Sequence, residues 1–226
     1  MPCGPKGGEG SGWARDIAHG RNVAAFLDSH GAGLLTSASE ADQDFDMARV
    51  PLLTRNDLPA DERSVFDRLE ASRGMPTGNI WRALANAPNL LDRALLLADE
   101  LRHGTTIEKR FRELAVLMVG VAAKSQYEFD HHWNAALKAG LPRPKLQAIG
   151  DFATSPLFDD AERAVLRYAK EATETGTVAD ATWAALREHF DDRKAMEIVV
   201  TVAWYNFVVR ILLPLEIENE NWFKKM

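Results

Sequence analysis

The stretch from Ile107 to Gly140 reads IEKRFRELAVLMVGVAAKSQYEFDHHWNAALKAG, and it decides the fold. Every residue from Leu114 to Ala123 is apolar or glycine. A helix that is apolar around nearly its whole circumference is typical of a buried position. The spacing of one helical face is followed by Ile107, Phe111, Leu114, Met118 and Val121. The stretch therefore predicts a core helix around which the other helices pack.

A second helix is predicted directly after the first. Residues 125–128 read SQYE, a capping-box pattern that begins a helix, and Gly140 with Pro142 marks its end. Its first two turns carry the polar residues Glu128, Asp130, His131 and His132. Glu113 lies at the polar entrance of the first helix. We therefore expect two carboxylates and two histidines close to an apolar interior, where the two helices meet.

The order of these residues resembles the carboxymuconolactone decarboxylase and alkylhydroperoxidase-D-like superfamily. The resemblance covers the chain from about Ala48 onward, and it is carried by Arg112-Glu113, the apolar run, Tyr127-Glu128-Phe129-x-x-His132 and Ala139-Gly140-Leu141. In the thiol branch of the superfamily, a Glu precedes Cys-x-x-Cys, and a His follows four residues after the second Cys. On this chain the Glu and the His fall on Glu113 and His132, whereas the Cys positions fall on Ser125 and Glu128. The resemblance is thus to the branch that lacks the Cys-x-x-Cys pair.

This resemblance implies a carboxymuconolactone decarboxylase-like lyase that works without a cofactor. Its substrate would be a small carboxylated lactone or a related ring acid, as in the catabolism of aromatic compounds. His132 would supply or relay a proton and Glu113 would orient it, with Glu128 as the third catalytic candidate.

Two other functions stay open. An alkylhydroperoxidase-like, peroxiredoxin-type antioxidant activity is disfavoured, because the thiolate is the reacting species and the sole cysteine is Cys3. A non-catalytic, oligomeric binder of a small ligand is not excluded by the sequence.

The composition limits partners and compartment. The net charge of −6 argues against a nucleic-acid partner, because phosphate binding needs a basic face. A single cysteine allows neither an internal disulfide nor a zinc cluster, and it fits the cytoplasm. The longest apolar region, residues 198–213, is interrupted by Asn206 and Arg210, so no membrane span is predicted.

The fold class is predicted to be all-α, a single-domain helical bundle over residues 47–226, because no segment alternates with period two. Residues 1–46, rich in Gly, Ser and Asp, are interpreted as a dispensable tail or, alternatively, as an arm that packs on a neighbouring subunit. Other helices are predicted to begin after Pro59, Asn79 and Asp180, and to cover residues 90–101, 143–149, 159–175 and 194–213. In the helix after Asp180, Trp183 is expected to face inward. Thr105 or Thr106 is expected to cap the core helix.

A homo-oligomer is also predicted. Residues 90–101, 114–123 and 198–213 are each apolar around most of a helix, and one domain of this size buries about two such helices. Relatives imply a trimer or a hexamer.

The remaining candidate residues are weighed against structural roles. Glu113 has Lys109 and Arg110 one turn back, so a surface ion pair of little value is the alternative to a pocket carboxylate. Ser125 suits a helix cap better than a nucleophile, because no nucleophile-elbow sequence surrounds it. His131 and His132 point about 100° apart on a helix, so we expect that they do not both face one pocket.

The substrate-binding candidates are His131, Arg210, Asn206, Trp81 and Ser125. Asn206 and Arg210 are one helical turn apart in an apolar run, where they would bind a substrate carboxylate, or else tie their helix to Glu113 or to a neighbouring subunit. No metal site is predicted, because H-E-x-x-H is absent and adjacent histidines rarely bind one ion.

Overall fold

Nine α-helices follow one another in a computed structural model that describes residues 48–74 and 76–226. They are α1 (Ser64–Arg73), α2 (Asn79–Leu84), α3 (Pro88–Asp99), α4 (Lys109–Ala123), α5 (Gln126–Lys138), α6 (Arg143–Gln147), α7 (Asp160–Thr175), α8 (Asp180–His189) and α9 (Asp192–Leu212). No strand occurs in the described residues, so the predicted all-α class is confirmed. The predicted tail, residues 1–46, lies outside the residues that the structure describes.

Helix α4 is the centre of the bundle. From Phe111 to Gly120 every residue except Arg112 is buried, as the apolar run predicts. Its faces pack against α5, α7 and α9. A Cβ atom at Gly120 would lie 3.1 Å from the backbone nitrogen of Phe129, so this glycine lets α4 and α5 approach closely. The close approach brings the start of α5 against the buried part of α4.

The corner between α4 and α5 is tight because Lys124 ends α4 in the left-handed region, with φ of 59°. The Ser125 hydroxyl accepts a hydrogen bond from the Glu128 backbone N–H at 3.4 Å, which confirms the predicted cap. The reciprocal half of the capping box is absent, because the Ser125 N–H donates to the carbonyl of Gly120 instead. The Glu128 carboxylate is therefore available for other partners.

Three local predictions were wrong. The core helix begins after Glu108 rather than at Thr105 or Thr106, and the Thr106 side chain binds Glu197 of α9. The α3 segment ends at Asp99 and continues as one π-helical turn, Glu100–Gly104. Trp183 of α8 is 40% exposed instead of facing inward, because Leu186 and Phe190 already fill the core below it.

Helix α9 packs on α4 and α7, with Ile198, Val202 and Val209 in the shared core. Among the described residues it alone is long and apolar enough, by length and composition, to cross a membrane, and 44% of the relevant window is buried inside the bundle. The argument that Asn206 and Arg210 exclude a span by sequence alone was thus too strict. Burial against α4 and α7 is the behaviour of a core helix.

The C-terminal segment, residues 213–226, folds back over α5. The Trp133 indole N–H donates to the main-chain oxygen of Met226 at 2.8 Å, and the Asn134 amide donates to that of Lys224 at 2.8 Å. Asp130 accepts from the Asn219 amide and pairs with Lys225. These contacts place buried Glu220 between α5 and the start of α2, which the sequence does not predict.

Candidate functional site

His132 lies between two buried carboxylates at the corner of α4 and α5. Its Nδ1 is 2.7 Å from Oε2 of Glu113, and its Nε2 is 3.1 Å from Oε1 of Glu128. Each glutamate is only 3% exposed. The other oxygen of Glu113 accepts two hydrogen bonds from Arg112, at 3.0 and 3.1 Å. Glu113 therefore belongs to a buried cluster, and the alternative of a surface ion pair with Lys109 or Arg110 is wrong.

The cluster holds a proton on His132. Carboxylates only accept hydrogen bonds, so both ring nitrogens of His132 donate. Burial alone would lower the His132 pKa, but the charge and hydrogen bond of Glu113, aided by Glu128, raise this pKa to about 9. Burial would raise the pKa of Glu113, yet His132 and then Arg112 hold that pKa below its usual value. Near neutral pH the site therefore contains a fixed imidazolium.

Tyr205 of α9 closes one side of this cluster. Its ring meets the His132 ring edge-on, with centroids 4.8 Å apart and planes at 80°. Burial, with the nearby charges of Glu128 and Glu113, raises the pKa of the Tyr205 hydroxyl. Tyr205 therefore remains neutral and shields the imidazolium from solvent.

A second histidine–carboxylate pair lies beside the first. His131 Nε2 is 2.9 Å from Oε2 of Glu220, whose Oε1 accepts from the Tyr127 hydroxyl and from the Asn79 backbone N–H, each at 2.6 Å. Burial opposes ionisation of Glu220, but these hydrogen bonds, with that from His131 the strongest, lower its pKa. Sequence reasoning missed Glu220, because it is 89 positions from His131 and no local pattern joins them.

Glu113, Glu128, His131 and His132 all line one cavity of about 750 Å³, and Glu220 lies behind His131. Apolar and aromatic side chains form part of its wall, including Trp81, Trp204, Tyr205, Trp222 and Phe223. This size lies in the range of small-molecule sites. The expectation that His131 and His132 do not face one pocket was wrong, because the cavity is wide enough to reach both sides of the α5 turn that carries them.

Cationic side chains also line the cavity: Arg73, Arg102, Lys109, Arg112 and Lys138. The Arg73 guanidinium is 2.9 Å from Asp99, and its side chain is only 13% exposed. It also stacks over the predicted wall residue Trp81 at 5.0 Å. The cavity is therefore locally basic although the chain has a net charge of −6.

The structure does not bring the remaining candidates to the cavity. Ser125 is 1% exposed and acts as the cap of α5. The Asn206 amide donates to the Thr173 hydroxyl at 2.9 Å and so ties α9 to α7. Arg210 is exposed and lies outside the cavity. These residues are therefore not substrate ligands in this arrangement.

The part of the chain that the structure describes contains no group of three or more His, Cys, Asp or Glu side chains arranged to hold a metal ion. Cys3, the sole cysteine, lies outside that part.

Residues 88–171 match the carboxymuconolactone decarboxylase family. Solved structures of alkylhydroperoxidase-D type share the bundle. The family match and these structures support the carboxymuconolactone decarboxylase and alkylhydroperoxidase-D-like superfamily for this chain. The resemblance read from the sequence is thus confirmed, and the matched segment contains Glu113, Glu128, His131 and His132 but not Glu220.

Relatives in this superfamily carry different names. The protein YnjA of Escherichia coli (strain K12) is 38% identical over 74 residues, which are 32% of this chain and 41% of that protein. The chain therefore spans less than half the length of this curated relative. The debrominase Bmp8 is 22% identical, with 76% of this chain and 92% of that chain covered and a TM-score of 0.66. An alkylhydroperoxidase AhpD core protein from Ralstonia eutropha JMP134 is 21% identical, with 77% and 93% covered and a TM-score of 0.66. At these identities the structures establish the fold alone.

The two positions that the resemblance assigns to cysteines carry other polar residues in this chain. These residues are Ser125 and Glu128. Ser125 is a buried cap, whereas Glu128 contacts His132 and lines the cavity. The arrangement therefore suits proton transfer rather than thiol chemistry at this corner.

Proposed function

We propose that the protein is a cofactor-free, carboxymuconolactone decarboxylase-like enzyme that acts on a small carboxylated lactone or a related ring acid. One observation carries the proposal. His132 is hydrogen-bonded to Glu113 and ion-paired with Glu128, and Glu128 lines a cavity with a cationic wall. Such an arrangement holds a proton and can deliver it to a bound ligand.

The cationic wall supports an anionic substrate. Local positive charge attracts a carboxylate even where the whole protein is acidic. Arginine binds carboxylates through two parallel hydrogen bonds, and Arg73, Arg102 and Arg112 all line the cavity. Arg112 is already engaged with Glu113 and Arg73 contacts Asp99, so Arg102 is the better candidate for the substrate.

The proposed reaction proceeds by proton transfer alone. The bond between the ring carbon and the carboxylate breaks, its electron pair passes to the conjugated carbonyl of the lactone, and carbon dioxide leaves. Nε2 of His132 gives its proton to the Glu128 carboxylate, and Glu128 passes a proton to the carbon that lost the carboxylate. Nδ1 of His132 keeps its own proton, which is hydrogen-bonded to Glu113, so Glu113 orients the ring. Solvent restores the proton that the product carries away.

The two alternatives rest on weaker support. A peroxidase of the alkylhydroperoxidase type would need a thiolate, and Ser125 and Glu128 supply none. A ligand binder without turnover would use the same cavity, so only a turnover measurement separates it from the enzyme. The cytoplasmic location and the homo-oligomeric state stay predictions.

The test is carbon dioxide release from a panel of carboxylated butenolides and ring acids, with binding followed by thermal shift. We expect turnover of at least one compound, and its loss in His132→Ala by roughly 10²–10⁴-fold, the usual contribution of a positioned acid or base. Arg210→Ala, an exposed residue outside the cavity, serves as the matched control. Binding without release of carbon dioxide from any compound would favour the binder instead.

A further inference from the structure

The two neighbouring histidines have different contacts at their ring nitrogens. His132 donates from both ring nitrogens, to Glu113 and to Glu128. His131 uses only Nε2, which faces Glu220. Nδ1 of His131 has no hydrogen-bond partner among residues 48–74 and 76–226, and it is not one of their buried unpaired atoms. Both ring nitrogens of His132 therefore face carboxylates, whereas Nδ1 of His131 faces none, and His131 lines the cavity.

Glu220 fixes the tautomer of His131. The carboxylate already accepts the Tyr127 hydroxyl and the Asn79 N–H on one oxygen, so it remains an acceptor toward the ring on the other. Nε2 of His131 must then carry the proton, and a neutral ring presents the lone pair of Nδ1. A histidine whose far nitrogen is held by a carboxylate is the usual arrangement of a general base.

The ring of His131 is also held in orientation. It stacks on Tyr127 with centroids 4.4 Å apart and planes at 23°, and Phe223 lies on it at 4.2 Å and 33°. A Cβ atom at Gly78 would lie 3.0 Å from the Tyr127 hydroxyl oxygen and 3.2 Å from Oε1 of Glu220. A glycine at position 78 thus leaves room for the group that holds the ring.

We infer that Nδ1 of His131 is the proton-accepting atom of this cavity and that Glu220 is its positioning residue, so that a bound unsaturated lactone acid undergoes a proton shift between two carbons. This inference rests on the proposed function only for the substrate class. The base and the acid arise from adjacent residues of α5, and Glu220 comes from outside the segment that matches the family. The further activity is therefore an isomerisation.

The step balances without any oxidant or reductant. A C–H bond conjugated with the lactone carbonyl breaks, its proton goes to Nδ1 of His131, and its electron pair passes to the carbonyl as a dienolate. Glu128, supplied by His132, then protonates the other end of the conjugated system. His131 then releases its proton to solvent, and His132 takes one up from solvent. The ligand has lost one proton and gained another, so its composition is unchanged.

The test uses the full chain and a carboxymethyl-substituted butenolide that has no carboxylate on the conjugated ring, incubated in deuterium oxide and followed by proton NMR. We expect deuterium to enter the ring and the double bond to move. His131→Phe retains the aromatic stack and should slow exchange by about 10²-fold or more. Glu220→Gln should slow it less and change its pH profile. His189→Phe, an exposed histidine away from this cavity, should leave it unchanged.

The outcomes separate this inference from the proposed function. Deuterium exchange without release of carbon dioxide from any ring acid would support the inference and contradict the proposed decarboxylase activity. Release of carbon dioxide without exchange in the wild type, or equal exchange in His131→Phe, would overturn the inference alone. Nitrogen-15 NMR of the wild type reports which ring nitrogen of His131 carries the proton, and it depends neither on turnover nor on the folding of a variant. A neutral His131 that is protonated on Nδ1 rather than on Nε2 would also overturn the inference.

Discussion

The imidazolium of His132 should make the stability of the fold depend on alkaline pH. The pKa of His132 is about 9 in the fold, compared with 6.5 for an ordinary histidine. A raised pKa means that the folded state binds the proton more tightly, so the stabilisation is complete below pH 6.5 and is lost as pH rises through 9. At 1.36 kcal/mol for each pH unit between the two values, the contribution is about 3 kcal/mol. The Glu113 pKa is lowered by the same ion pair, so its effect is not added again.

The assay is urea unfolding of the wild type and of His132→Gln between pH 6 and pH 10. The difference in unfolding free energy between the two proteins should shrink by about 3 kcal/mol across this range. Lysine and tyrosine titration is common to both proteins and cancels in the difference. For His189→Gln, which removes an exposed histidine, the difference in unfolding free energy from the wild type should stay the same from pH 6 to pH 10. A difference that stays constant from pH 6 to pH 10 would refute the assignment of a buried imidazolium.

Three further outcomes are expected. Deleting residues 1–46 should change the melting temperature and oligomeric size little, because a dispensable tail buries little apolar area at ~25 cal/mol per Å²; loss of assembly would instead identify an interlocking arm. Cys3→Ser should leave any activity intact, and peroxide consumption that depends on Cys3 would restore the thiol alternative. Leu90, Leu96, Leu97 and Phe207 are exposed, so light scattering should give a homo-oligomer, and a stable 25.1 kDa monomer at micromolar concentration would contradict this.

Much of the fold was predictable because its signals are local. The apolar run at 114–123 identified the core helix, and the helices predicted over 159–175 and 194–213 lie within two residues of the observed bounds. Ser125 was likewise predicted as a cap. Trp183 was not predicted correctly, because helical periodicity does not reveal which apolar residue neighbouring helices leave uncovered.

The site was predictable only in part. Glu113 and His132 were paired through the family resemblance, and a separation of one helix–turn–helix unit brings them together. Arg73 reaches the cavity, and Glu220 reaches His131, from distant segments, and no spacing in the sequence relates either residue to α5. Asn206 and Arg210 were misassigned, because an apolar run containing polar residues does not indicate which helix face meets the cavity rather than α7 or solvent.

The pH–rate profile of carbon dioxide release tests the proton relay most directly. In the wild type, the alkaline limb of kcat/KM should fall near pH 9, where His132 loses its proton. Glu113→Gln retains a hydrogen-bond acceptor for Nδ1 but removes the charge that raises the His132 pKa, so the limb should move to lower pH. An alkaline limb at the same pH in both proteins would contradict the account.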